Sequence, residues 1–181
     1  RERLARVEAR LRRMDREGGA PGGYEVVLKR VGAQKAASVR DTLPTYSGVG
    51  KLFEDLGDYA EDHGIRPSAL ISVWHDEEYR DEDVSGEAAF VTEDPGPGNG
   101  RVTAGYLPAV ESMASTVHHG SFETIGAAYA ALLGWIEENG YRVAGPNREV
   151  YLRGGAERDN PDYVTEVQFP VEKVKGKEGQ P

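Results

Sequence analysis

A chain of 181 residues, 38% hydrophobic and 29% charged, is long enough for one folded core and a small accessory element. It has no cysteine, which removes disulfides and thiolate metal centres, and no apolar run approaches the ~20 residues of a membrane span. The net charge of −9 is uneven: residues 1–17 hold seven arginines against four acids, +3, leaving −12 on an acidic body that repels nucleic-acid phosphates. The first residues are charged rather than an apolar leader, so a cytoplasmic location is expected. Because the chain begins at Arg1 instead of Met, it is expected to be a piece of a longer protein.

The opening stretch RERLARVEARLRRMDREGG reads as a helix. Leu4, Val7, Leu11 and Met14 follow the 3-4-3 spacing of a coiled-coil seam, and Gly18 and Gly19 end it. Two heptads are too short to stand alone, so residues 1–19 are expected to dimerise. After a glycine-rich linker the sequence repeats with a spacing near 77 residues. AASVR at 36–40 resembles ASTVH at 114–118, and an amphipathic helix follows each. Leu52, Phe53, Leu56, Tyr59 and Ala60 of the first helix reappear 76 positions later as Ala128, Tyr129, Leu132, Trp135 and Ile136. Gly64 and Gly140 close the two helices. Strands LISVW (70–74) and EAAFV (87–91) follow the first, and REVYL (148–152) and EVQFPV (166–171) the second.

The expected fold is therefore α+β: duplicated strand–helix–strand–strand units with pseudo-twofold symmetry and an antiparallel sheet, preceded by a short coiled-coil helix. The main domain is placed at residues 20–171, with repeats at about 24–94 and 100–171 joined by the turn-rich DPGPGN, and residues 172–181 form a charged tail expected to be disordered. Helices covering one sheet face would leave the other free to line a groove.

Several motifs carry no chemistry. SGVGK (47–51) has Thr45 and Leu52 where a phosphate loop needs glycine and Ser or Thr, and GPGNGR (96–101) lacks the last glycine of a dinucleotide loop. His118 and His119 are adjacent in a strand and point to opposite faces, so they do not suit a shared metal. No metal or cofactor is expected.

Aromatic residues near carboxylates remain. With Ile71 and Val73 on the core side, Trp74 turns outward; with Val150 and Leu152 on the core side, Tyr151 turns outward beside Glu149. Tyr106 and Tyr46 are further aromatic candidates. Aligning EAAF with EVQF sets Glu87 against Glu166, each three residues before a phenylalanine, and both are expected on the groove side. Aromatic faces around a carboxylate suit a lipophilic cation.

The duplicated unit, REVYL and the closing DYVTEVQFPV resemble the GyrI-like effector-binding domain, and the leading coil resembles the dimerisation helix of MerR-family transcription regulators; together the resemblance covers about residues 1–171. It implies a sensor of lipophilic cationic small molecules (multidrug sensing) that acts as a homodimer and meets DNA only through an N-terminal domain missing from this sequence. It also implies that Glu166 reads positive charge, with Tyr151 its best-matched aromatic neighbour. Some stand-alone GyrI-like proteins resemble hydrolases that open cyclopropane rings in natural products with a pocket glutamate. That is the enzyme alternative; a protein-binding adaptor is the third class.

Overall fold

The computed structural model describes residues 23–176; the expected coil at 1–19 lies outside them. In chain order the elements are β1 (Val27–Val31), β2 (Gln34–Leu43), α1 (Val49–Asp62), β3 (Ala69–Trp74), β4 (Val84–Val91), β5 (Thr103–Leu107), β6 (Val110–His119), α2 (Gly126–Glu138), β7 (Tyr141–Val143), β8 (Asn147–Arg153) and β9 (Val164–Lys173). The α+β class, the antiparallel sheet and both helices are as expected. A single 3-10 turn precedes each helix, at Tyr46–Gly48 and Phe122–Thr124.

The sheet order is β1-β6-β9-β8-β3-β4-β2-β5, with β7 continuing alongside the end of β9. At its centre β3 and β8 pair antiparallel. From that pair the sheet runs out through β4, β2 and β5 on one side and through β9, β6 and β1 on the other. Neither β1 nor β5 pairs with the strand that follows it in sequence; each crosses to the far half, β1 to β6 and β5 to β2. The crossing ties the two halves together through backbone hydrogen bonds.

One sheet face carries the helices: α1 packs on β2 and β4, and α2 on β6, β7 and β9. The buried stripe of α1 is Leu52, Leu56, Tyr59 and Ala60, the i, i+4, i+7, i+8 set of an amphipathic helix. These residues meet Ala37, Val39, Ala88 and Phe90 from the strands. The corresponding stripe of α2, Ala128, Leu132 and Ile136, meets Ala114, Val167 and Phe169. Truncating one of these leucines to alanine removes buried methyls and leaves a cavity, at a cost of about 2–5 kcal/mol. Gly64 and Gly140 follow the helices with φ of +63° and +75°, the left-handed exit that glycine permits.

The other sheet face is also partly apolar. Ala36, Ile71, Val73, Ala89 and Leu107 form a separate buried cluster there, with Val91 and Val150 against it. Alternation along β3 therefore divides Ile71 and Val73 from Ser72 and Trp74 as expected, but both sets are buried.

Strand β9 is interior, between β6 and β8, and it extends to Lys173, past the expected boundary at 171. Pro170 is tolerated because it falls where β9 changes partners: β8 pairs with Val164 to Gln168, and β7 with Val171 to Lys173. The Pro170 carbonyl is still used, accepting from Ala144 N at 2.8 Å.

Candidate functional site

A cleft of about 1330 Å³ opens between α1 and α2, over the central β3–β8 pair. It lies on the helix face, which overturns the expectation that the groove would use the face the helices leave free. The two helices each cover an outer part of the sheet and leave the middle to form the floor. This also explains why α2 is apolar beyond its packing stripe: Tyr129 and Leu133 line the cleft, and Leu133 remains 41% exposed.

Glu149 stands on the floor. It sits opposite Ser72 in the β3–β8 register, its side chain is on the cleft face, and the residue is 9% exposed. Three donors converge on it: Trp74 Nε1–H to Oε2 at 3.0 Å, Tyr151 O–H to Oε1 at 3.1 Å, and the Tyr129 hydroxyl to Oε2. Those donors are themselves held. Ser72 Oγ lies 2.6 Å from the Tyr151 hydroxyl, and since that hydroxyl gives its one proton to Glu149, Ser72 donates to it. Asn147 Nδ2 donates to the Tyr129 oxygen at 2.8 Å.

Burial raises the Glu149 carboxyl above the usual glutamate range, against the pull of the hydrogen bonds from Tyr129, Trp74 and Tyr151. Burial, with the Glu149 charge beside them, raises Tyr129 and Tyr151 well above ordinary phenols, so both remain donors. Among the described residues no lysine, arginine or histidine forms an ion pair with Glu149. The basic side chains lining the cleft are engaged elsewhere, Lys51 with Glu54 and Asp55, and Arg158 with Glu123. The site is thus a desolvated carboxylate with three donors and no ion-pair partner among the described residues; the charge of Arg158, itself paired with Glu123, acts on it only as a weaker opposing pull.

Aromatic rings wall it. Trp74 meets Tyr46 edge to face at 5.0 Å, and Tyr46 stacks on Tyr79 at 5.3 Å, carrying the wall to the mouth, where Tyr79 is 77% exposed. Phe53 from α1 and Phe122 from the turn before α2 stand edge-on to Tyr151 at 5.8 and 5.7 Å. Gly86, directly across from Trp74, leaves the indole its room: a Cβ there would lie 2.7 Å from Leu43 Cδ1 and 3.0 Å from Trp74 Cζ3.

Of the residues singled out from sequence, Trp74, Tyr151 and Tyr46 come together here and Glu166, Glu87 and Tyr106 do not. Val167 and Phe169 belong to the core under α2, so the alternation of β9 sends Glu166 through to the opposite face. There it accepts from Lys29 Nζ at 2.6 Å and from the Gln168 amide. Glu87 is likewise on that far face, opposite Val73, and lies 2.7 Å from His75 Nε2. Its carboxyl is lowered: burial raises it, but the bonds from His75 and Ser38 and the nearby charges outweigh that. Glu87 and Glu166 therefore each have their own partner and share no pocket. Tyr106 is on edge strand β5, 66% exposed. Sequence reasoning passed over Glu149, Tyr129 and Phe53; the signal for Glu149 was its position two residues before Tyr151, on the same strand face.

Among the described residues no cluster of His, Cys, Asp and Glu could hold a metal ion, and no helix is long and apolar enough to cross a membrane.

The fold and its aromatic-walled cleft define a class: a small-molecule binding domain built on an antiparallel sheet with two helices. The chain belongs to the GyrI-like small molecule binding domain family, whose pattern it matches over residues 24–172. No curated protein matches the chain. Among solved structures, the EcmrR C-terminal domain is 29% identical with a TM-score of 0.76, the match covering 83% of this chain and 99% of that one. The EcmrR chain in an EcmrR–DNA complex is 27% identical with a TM-score of 0.79, covering 94% of this chain and 65% of that longer one. A hydrolase from Listeria innocua shares the fold at 13% identity and a TM-score of 0.58, covering 89% of this chain and 98% of that one.

Proposed function

We propose that this domain is the effector-sensing part of a MerR-type transcription regulator, and that its cleft takes a flat, lipophilic cation. The observation that carries the ligand class is Glu149: a buried carboxylate with three hydrogen-bond donors, no cationic partner and aromatic rings on either side. A cation seated there supplies the missing charge, and the ring faces add roughly 0.5–2 kcal/mol each through their quadrupoles. Trp74 and Tyr151 serve as stacking and positioning groups, and Tyr46 and Tyr79 continue the surface toward solvent. The likeness to EcmrR, which is found bound to DNA, supports a place beside a DNA-binding part in a longer protein. In that setting the ligand shifts the balance between two arrangements of sensor and DNA-binding domain.

The same reading makes residues 1–19 a dimerising coil and the domain a duplicated unit. The strand order, running outward from β3 and β8 through matching partners, supports the duplication. The hydrolase alternative has fold likeness alone in its favour, at 13% identity.

Titration of the chain with rhodamine 6G, followed by dye anisotropy, tests the reading against an anionic dye of similar size. Saturable binding of the cationic dye that is lost with Glu149→Gln supports it. Equal binding of both dyes, or none, overturns it, and a gain of one water in the mass of a cyclopropane-bearing compound would favour the enzyme.

A further inference from the structure

One buried side chain that the cleft does not use is His118, 3% exposed on β6. Its two ring nitrogens face different parts of the molecule. Nε2 lies 3.0 Å from the Ser121 carbonyl and 3.1 Å from Thr124 Oγ1, and Thr124 Oγ1 itself donates to the Ser121 carbonyl. A carbonyl only accepts, so Nε2 carries the proton. Nδ1, the acceptor in neutral imidazole, lies 2.8 Å from the Tyr24 hydroxyl, which donates to it. Every hydrogen-bonding atom of the ring is thus matched in one tautomer.

The two ends of this bridge are far apart in sequence and in role. On one side is the turn Phe122–Thr124, whose Phe122 ring forms a wall of the cleft and lies 5.7 Å from Tyr151. On the other is Tyr24, in the segment just before β1, which packs on the core under α2 with Val26 and Leu28. The Glu25 carbonyl is bound by Thr116 Oγ1 at 2.7 Å, so this segment is fixed to β6. His118 and Tyr151 also flank one residue, Thr165, in the β6–β9–β8 register. The turn is shaped around the imidazole: Gly120 has φ of +147°, and a Cβ there would sit 3.2 Å from both His118 Nε2 and Thr124 Oγ1.

We propose that His118 is a positioning residue that holds the Phe122 wall of the cleft and ties it to the N-terminal segment at Tyr24. A ligand that presses on Phe122 is then felt at residues 24–28, which follow directly on residues 1–22 in sequence. The inference rests on the cleft being the ligand site. It adds the route by which occupancy reaches the N-terminal side, through a pair of hydrogen bonds with two distinct ends.

The test is amide hydrogen exchange of the full 181-residue chain with and without saturating rhodamine 6G, with dye affinity measured in parallel. In the parent chain, dye is expected to slow exchange at residues 24–28. Tyr24→Phe removes the bond to Nδ1 and keeps the ring; it should bind dye within about twofold of the parent yet lose that protection. His118→Gln breaks the bridge at its centre, so it should also lose the protection at 24–28 at saturating dye, whatever its effect on dye affinity through Phe122. A merely structural histidine would change melting temperature and leave ligand-induced protection intact. Protection at 24–28 that survives in either variant with dye bound overturns the proposal, as does its absence in the dye-saturated parent. Failure of the parent chain to bind dye at all overturns the cleft reading first, and is seen separately in the affinity.

Discussion

Replacing Glu149 by glutamine removes the charge and keeps the shape, so it separates what the carboxylate does for the ligand from what it does to the fold. A unit positive charge about 5 Å from the carboxylate, at an effective dielectric near 20, is attracted by roughly 3 kcal/mol. At 1.4 kcal/mol per factor of ten, Glu149→Gln should weaken a monocationic dye by about 100-fold and leave a neutral analogue within about threefold. Stability should respond through its pH dependence. Burial raises the Glu149 carboxyl in the folded chain, so between the unfolded value near 4.3 and the higher folded value the native state binds more protons than the unfolded one. The Glu149 contribution is therefore most favourable at low pH and is lost as pH rises through that window. Glutamine cannot ionise, so the variant should show a flatter dependence of melting temperature on pH. Anisotropy titrations with the two dyes and thermal melts from pH 4 to about 8.5 read both effects. Equal loss of cationic and neutral dye would show that the substitution damages the cleft's shape, and the charge argument would fail.

The same raised carboxyl predicts that cationic dye affinity falls as pH drops through the Glu149 ionisation, since the bound cation favours the charged form; an affinity independent of pH between about 4.5 and 8 would contradict it. Tyr151→Phe keeps the ring against Phe53 and Phe122 but strips one donor from Glu149, and should weaken the cationic dye by roughly 10- to 100-fold, the ~1.5–3 kcal/mol of a hydrogen bond to a charged group at ~1.4 kcal/mol per factor of ten. Glu166→Gln breaks a partly exposed pair with Lys29 on the far face; it should leave dye affinity unchanged within about twofold and cost less than ~1 kcal/mol in denaturant melts. Tyr59→Phe leaves the Pro95 carbonyl and the Gly98 N–H without the hydroxyl that binds both, at 2.7 and 2.9 Å, and should cost about 1–3 kcal/mol by the same melts.

Local periodicity made the elements legible. The 76-residue offset placed both helices, and their closing glycines have the positive φ expected. Alternation correctly separated Trp74 from Ile71 and Val73, and Tyr151 from Val150. It could not say which face bears the cleft, because this sheet buries apolar residues on both: Val73 and Ile71 in one cluster, Trp74 and Phe90 in another. The expected groove lies on the face the helices leave free, and that is the face where the closing strand does carry Glu166. Val167 and Phe169 are the residues of β9 that meet α2, so Glu166 points away. Glu149 was passed over because it lies between Arg148 and Val150 in a strand whose far-face residues are also buried: Arg148 is only 4% exposed, with Nη2 donating to the Pro108 carbonyl at 2.7 Å. Tyr129 looked like a packing residue, since its ring does lie edge-on to Phe169 at 5.7 Å; its hydroxyl reaches Glu149 only once α2 and β8 are docked.

A crystal structure of the chain with rhodamine 6G bound tests the central claim most directly. The account predicts the dye between α1 and α2, its cationic end within about 5 Å of the Glu149 carboxylate and its plane against Trp74 or Tyr151. Dye bound instead on the far face beside Lys29 and Glu166, or in the cleft with its charge turned away from Glu149, would contradict it.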